Sequence, residues 1–319
     1  MIDEVNIEYL RAPFPYFGGK SMIADLIWRR LGCVKRYIEP FFGSGAVLLK
    51  RPDWRENPDE IICDKDGHIA NVWRSIKFAP DKVAEWCDWP VNHADLCARR
   101  EVLRRESENL LRDLIADPEY YNAKLAGYWV WCASCWIGSE MVIAHDAIPL
   151  LTCKQGVNQG RIPKLCHDRR VNVKRQNIYD WLKSLSMRLR QVKVVCGDWS
   201  RVCGGNWQGD KSTCGIFFDP PYSDEKRNKN IYACESMTVA HDVREWAKKR
   251  GDNKNYRIII AGYDGEHDEL LNYGWTVETW KANGGYGNQG NGQGKENAKR
   301  ERLWLSPYCL KEGDLFEQW

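Results

Sequence analysis

The apolar positions of the chain change their spacing repeatedly, and the changes mark structural boundaries. SMIADLIWRRLG, residues 21–32, carries apolar residues at helical spacing and stops at a glycine. YIEPFFGSGAVLLK then reads as a strand, a tight glycine turn and the start of a helix. Glu60 to Cys63, EIIC, is a short apolar strand ending at Asp64, and DGHIANVWRSIK returns to helical spacing. Strand, helix, strand, helix over the first 77 residues predicts a parallel α/β sheet.

From residue 78 to 194 the pattern differs. EVLRRESENLLRDLI is helical with charges between its apolar positions, and YWVWCASCWIG reads as a buried apolar segment. TCKQGVNQGRIPKLCHDRRVNVKRQ is basic and only weakly periodic, either a hairpin or an irregular arm, and WLKSLSMRLR is helical again. After residue 194 the α/β pattern resumes. QVKVVCGDWS is a strand ending at Asp198, CGIFFDPPY one ending at Asp219, TVAHDVREWAKKRG a helix closed by Gly251, and YRIIIAGY a strand. WTVETWKA and RERLWLSP form a final strand pair around NGGYGNQGNGQGKENAK, a stretch too polar and glycine-rich to pack, read as a mobile loop. One α/β domain (1–77 and 195–319) is thus interrupted by a helical and basic insert (78–194).

Composition changes this picture in three places. The 319 residues are 43% hydrophobic and 29% charged, which fits a globular protein. No run approaches about 18 apolar residues and the acidic start, MIDEVNIEYL, has no apolar core for export, so neither a membrane span nor a secretory signal is expected. Of the 13 cysteines, Cys132 and Cys135 form a CxxC with no second pair at zinc-ligand spacing; reduced core thiols and a cytoplasmic location are the expectation, with no metal. Between Lys154 and Lys193 there are eleven Lys and Arg against two Asp, a local +9 in a chain whose net charge is +3. Such a block suggests a polyanion-binding surface.

Two short stretches carry candidate chemistry. EPFFGSG, Glu39 to Gly45, places glycines where a ligand can approach the backbone and where the following helix start favours negative charge. The third glycine of the dinucleotide fingerprint is missing, because its register falls on Leu48, which argues against NAD or FAD. Asp64, about 20 residues on at a strand end, suits a ribose diol; Asp66 suits a helix cap at least as well. The second stretch is FFDPPYS, Phe217 to Ser223. An exocyclic amine of a nucleobase is a poor nucleophile until its nitrogen pyramidalises, and two acceptors on its N–H bonds favour that shape. Asp219 offers a carboxylate and Pro220 a carbonyl with no N–H of its own. Pro221 biases Pro220 towards an extended backbone, and Tyr222 offers a ring face for a flipped-out base.

Taken together and in this order, the motifs resemble the DNA adenine methylase (Dam, D12 class) family of N6-adenine DNA methyltransferases, of phage or prophage type. PFPYFGGK is similar to its N-terminal cofactor segment, YIEPFFGSGAVLL to its glycine loop, CDKDGHIANVW to its ribose-binding strand end, VVCGDW to its adenine-holding segment and FFDPPY to its catalytic motif. The resemblance implies a Rossmann-like, doubly wound, mostly parallel sheet with a C-terminal antiparallel strand pair and a target-recognition insert. It implies S-adenosylmethionine as cofactor, with Tyr16, Phe17, Gly18 and Lys20 contacting it. Glu39, Pro40, Phe41, Gly43 and Gly45 would line its methionine part, Asp64 would bind the ribose, and Asp198 and Trp199 the adenine. Asp219, Pro220, Pro221 and Tyr222 would handle the target base. In the insert, Arg161, Lys164, Arg169, Arg170, Lys174 and Arg175 are candidate contacts to double-stranded DNA, and a cognate restriction endonuclease is a possible partner. Rival readings are transfer to another exocyclic amine, such as N4 of cytosine or a base amine in RNA, and a catalytically inactive DNA-binding relative. A nuclease is disfavoured, since no cluster of carboxylates suits a metal.

Overall fold

The computed structural model describes residues 10–16, 18–135, 178–204, 212–222, 238–280 and 300–312. Phe17, the basic arm with its six candidate DNA contacts, and the glycine-rich loop before the last strand lie outside the described residues.

The described elements run in the order α1 (Ala24–Leu31), β1 (Arg36–Glu39), α2 (Ala46–Leu49), β2 (Asp59–Asp64), α3 (Gly67–Phe78), α4 (Pro80–Cys87), α5 (His93–Ala116) and α6 (Ala123–Cys135). They continue with α7 (Ile178–Leu189), β3 (Lys193–Cys196), α8 (Ser200–Cys203), β4 (Cys214–Phe218), α9 (Val239–Arg250), β5 (Tyr256–Tyr263), β6 (Thr276–Thr279) and β7 (Glu301–Leu305). The helix stops follow from local chemistry. Gly32 takes φ 58° and returns its N–H to Trp28 O at 2.7 Å, and Gly251 N–H caps α9 on Ala247 O at 2.7 Å. Asp66 caps α3 by accepting from His68 N at 2.8 Å, as its position in the sequence suggested.

The strands form one seven-stranded sheet in the order β3-β2-β1-β4-β5-β7-β6. The first five are parallel; β7 runs antiparallel to both β5 and β6. This is a Rossmann-like arrangement with an antiparallel pair at one side. The sequence pattern gave that pair but not its order: the last strand inserts beside β5 and leaves β6 at the edge.

Alternate strand residues face two cores. Tyr37, Ile62, Phe217, Ile259, Ala261 and Leu303 face one, and Ile38, Ile61, Phe218, Ile258, Ile260 and Trp304 the other. Both faces of the parallel strands are covered, which explains their continuous apolar runs. The first core continues without a break into α3, α4, α5, α6 and α7. Cys132 and Cys135, on α6, are buried free thiols within it. A buried ion pair ties α7 to the sheet: Arg188 meets the Glu60 carboxylate of β2 at 2.6 and 2.7 Å, and Arg51 approaches the same carboxylate at 3.4 Å. Breaking such a pair leaves an uncompensated buried charge, at about 3–5 kcal/mol. Among the described residues no helix is long and apolar enough to cross a membrane.

His267 is fully buried, lies edge-on to Trp304 at 4.9 Å, and has no hydrogen-bond partner at either ring nitrogen. Burial, then the charge of Arg244, pushes its pKa down to about 3. The unfolded chain binds this proton near the usual 6.5 and the folded chain does not, so the contribution to stability is complete above pH 6.5 and falls as pH drops. The slope is about 1.4 kcal/mol per pH unit. His267→Leu is therefore expected to gain about 2 kcal/mol relative to the native chain on moving from pH 7.5 to pH 5, read by urea unfolding at both values. An unchanged difference between the two proteins would show that buried neutral His267 is not an acid-labile element.

Candidate active site

The chain leaves β1 for β2 and β3 on one side, then returns with β4 on the other side of β1. Loops leaving the carboxyl ends of β1 and β4 therefore diverge and open a crevice, the usual ligand position in such sheets. A cleft open to solvent lies there. Its walls include Tyr16, Gly18, Lys20, Glu39, Pro40, Phe41, Gly43, Asp64, Asp198, Trp199, Asp219 and Pro221. Twelve positions singled out in the sequence thus converge from five separate segments. Gly45, Pro220 and Tyr222 are adjacent to the lining.

The glycine turn is shaped by close approach. Gly43 has φ 47°, and a Cβ there would meet Tyr16 Cε1 at 2.4 Å. Gly45, at φ 63°, would strike the Phe42 ring at the same distance. Gly43 N–H donates to Asp64 Oδ2 at 2.8 Å, and Gly43 O accepts from Trp73 Nε1 at 2.9 Å. Asp64 Oδ1 accepts from Asp66 N at 2.9 Å. Burial, then the neighbouring Asp66 charge, raises the Asp64 pKa to about 7, although backbone N–H groups pull the other way. The helix start after the turn is occupied from within the chain. α2 is a single turn, and its Leu48 N–H is already bound by Glu39 Oε2 at 3.2 Å. Glu39 also accepts from Tyr37 Oη at 2.9 Å, and burial holds its carboxyl well above the usual range.

At β3, Asp198 Oδ1 accepts from Ser200 N at 3.0 Å and Ser200 Oγ at 2.6 Å, fixing the start of α8. Trp199 packs edge-on to Phe218 and Trp246. At β4, Asp219 Oδ2 meets Lys20 Nζ at 2.8 Å and Oδ1 accepts from Tyr222 Oη at 3.1 Å. Lys20 also donates to Gly18 O at 2.8 Å and lies 5.4 Å from the Tyr222 ring centre. Lys20, expected at the cofactor, sits on the carboxylate of the DPPY segment.

The cleft carries five carboxylates, Glu39, Asp64, Asp66, Asp198 and Asp219, against two lysines, Lys20 and Lys65. Such a donor set repels a polyphosphate and suits a ligand rich in N–H and hydroxyl donors or positive charge. Two neighbours were not singled out in the sequence. Glu301 starts β7, where burial raises its carboxyl pKa while the Lys20 charge opposes the shift. Tyr263 ends β5 with its ring centre 4.6 Å from that of Tyr222. Nothing in the sequence alone sets β7 beside β5, so no signal there could have found Glu301; the position of Tyr263 after an apolar run was the one usable hint.

Residues 16–121, which hold the glycine turn, Asp64 and Asp66, match the family model of D12 class N6 adenine-specific DNA methyltransferase. The chain is similar to members of this family over that span, about a third of its length. It is similar to the Type II methyltransferase M.MjaIII of Methanocaldococcus jannaschii, at 27% identity over 216 residues. That match covers 64% of this chain and spans 66% of the relative's length, just under two thirds. The DPPY segment lies beyond the matched region of the family model, yet the sheet carries it to the same cleft.

The close approach at Gly43 has a measurable consequence. Gly43→Ala puts a methyl group into the Tyr16 ring and a side chain at positive φ, at about 1–3 kcal/mol. Pairing it with Tyr16→Leu, which removes the ring, is expected to recover part of that loss in urea unfolding. Strict additivity of the two changes would show that they do not share the contact.

Proposed function

We propose that the protein transfers a methyl group from S-adenosylmethionine to N6 of an adenine flipped out of double-stranded DNA. The observation that carries this reading is the meeting of the DPPY carboxylate with an acid-rich, phosphate-repelling cleft at the strand reversal. The residues fit the cofactor on their own chemistry: a ribose diol and an adenine amine donate hydrogen bonds, and an ammonium and a sulfonium carry positive charge. Asp64 would take the ribose hydroxyls, Asp198 the adenine amine beside Trp199, and Glu39 the ammonium. Tyr16, Phe17, Gly18, Pro40, Phe41, Gly43 and Gly45 would enclose the rest. S-adenosylmethionine supplies an electrophilic methyl group.

The protein's part is positioning and electrostatics. Asp219, held by Lys20 on one oxygen and Tyr222 on the other, would accept an N–H of the target amine and stabilise the positive charge that develops on N6. The Pro220 carbonyl would take the second N–H, with Pro221 restricting its backbone. The amine's own lone pair forms the new N–C bond as the S–C bond breaks, so no covalent enzyme intermediate is needed; the N6 proton leaves afterwards to water. Target recognition is assigned to residues 78–194, with Arg161, Lys164, Arg169, Arg170, Lys174 and Arg175 contacting the duplex.

Long-read sequencing of DNA from cells expressing the protein tests the whole reading, since it reports modified base and sequence context together. Context-specific N6-methyladenine is expected; N4-methylcytosine alone, or no modification, overturns it. Asp219→Ala is expected to abolish tritium transfer from labelled S-adenosylmethionine while calorimetry shows the cofactor still binding. Retained turnover would remove Asp219 from the mechanism.

Asp64 predicts a pH dependence of cofactor affinity. Burial raises its carboxyl pKa to about 7, and two ribose hydroxyls donate far better to the ionised form, whose oxygens both accept, than to the protonated one. Binding therefore favours deprotonation, and affinity rises with pH: at pH 6 about a tenth of Asp64 is ionised, so the Kd should be roughly tenfold weaker than at pH 8. Asp64→Asn should bind more weakly at pH 8 and lose most of that slope in calorimetric titration. An equal slope in the variant would place the titration elsewhere.

A further inference from the structure

We infer that Tyr263 is a positioning residue for the target base, acting through Tyr222; this rests on the reading above. β5 is paired with β4 as far as Phe218↔Ile260 and then runs three residues further. That overhang lies alongside the Asp219–Tyr222 segment, where no β4 residue remains to pair with it. Tyr263 is its last residue, on the face shared by Ile259 and Ala261, and Tyr222 packs against the core formed on that face. The two rings meet at 4.6 Å between centres with planes 69° apart, the edge-to-face arrangement that aromatic pairs prefer.

Tyr263 is itself fixed from three directions. Its backbone N–H donates to Glu266 Oε2 at 2.9 Å, its strand partner is Glu301, and the Arg300 guanidinium lies 4.9 Å over its ring. Tyr222, by contrast, follows two prolines in a segment that has left the sheet, and its hydroxyl is tied to Asp219. That bond fixes one end of the ring, and Lys20 lies over the ring at 5.4 Å. The Tyr263 contact adds a rigid aromatic wall that sets the ring's rotation. The Tyr222 ring plane then stands ready to stack a base while its hydroxyl stays on the carboxylate that receives the amine. Stacking geometry and the hydrogen bond to Asp219 are thereby set by a residue from a different strand.

The test compares native protein with Tyr263→Phe, Tyr263→Leu and Tyr263→Ala. Single-turnover transfer from tritiated S-adenosylmethionine to unmethylated plasmid DNA gives the rate. A duplex carrying 2-aminopurine at the methylated position, known from the sequencing, reports the flipped base by fluorescence. Tyr263→Phe keeps the ring edge and should keep the native rate within about twofold. Tyr263→Leu and Tyr263→Ala should lose roughly tenfold in rate and shift the bound 2-aminopurine signal, with unchanged cofactor Kd and a melting temperature close to that of Tyr263→Phe. Native rates and signal in both would overturn the inference, as would a parallel loss of cofactor affinity, which marks a purely structural residue. A native protein that transfers no label to any DNA instead overturns the reading of the site, and is told apart by that control.

Discussion

Everything at the candidate site depends on one topological constraint, the reversal of strand order at β1. Parallel strands deliver all their carboxyl ends to the same side of the sheet, and the reversal parts the loops of β1 and β4 there. Glu39, Asp64, Asp198 and Asp219 sit at or just past the ends of four different strands, separated by up to 180 positions in sequence. Had β4 added beyond β3 instead, Asp219 would lie at the far edge from Glu39. The sheet register is therefore the primary determinant of the site, and the apolar runs that bury both faces of β1, β2, β4 and β5 are what hold that register.

Gathering carboxylates in one half-buried cleft is electrostatically unfavourable, and the protein offsets the cost locally. Backbone N–H groups point at Asp64, Tyr37 and Leu48 at Glu39, Ser200 at Asp198, and Lys20 with Tyr222 at Asp219. The compensation is unequal. Asp219 has a full cation, whereas Asp64 and Glu39 have only neutral donors and their carboxyl pKa values stay raised by burial. An arrangement of under-compensated acids is poor for stability by itself and favourable to a ligand that brings donors and positive charge.

The legible part of this fold was the part written in local rules. The glycine stop at Gly32, the cap at Asp66, the strand ends at Asp64 and Asp219 and the glycine turn all follow from short-range sterics and hydrogen bonding, and their spacing alone carried them. What could not be read were relations between distant segments. The family resemblance puts Lys20 at the cofactor, and nothing local to it shows that its ammonium also reaches Asp219, 199 residues away. Glu301 enters the site only because β7 inserts between β5 and β6, an order that no periodicity encodes. The sequence likewise marks where α2 begins after Gly45, but not that it ends after one turn or that the acid on its N–H groups is Glu39 of the same chain.

The glycine turn is also less local than its motif suggests. Phe14 packs against Trp129 of α6 at 4.9 Å and Trp73 of α3 at 5.7 Å, and Trp73 in turn touches Phe42 and holds the Gly43 carbonyl. Close-packed interiors transmit displacement because voids are too costly to absorb it. A shift of α6, inside the segment assigned to target recognition, must then be taken up by Phe14 or passed through Trp73 to the backbone that positions Asp64. The aromatic residues that fill this core thus join the glycine turn and the helical insert, even though the sequence reads them as separate parts.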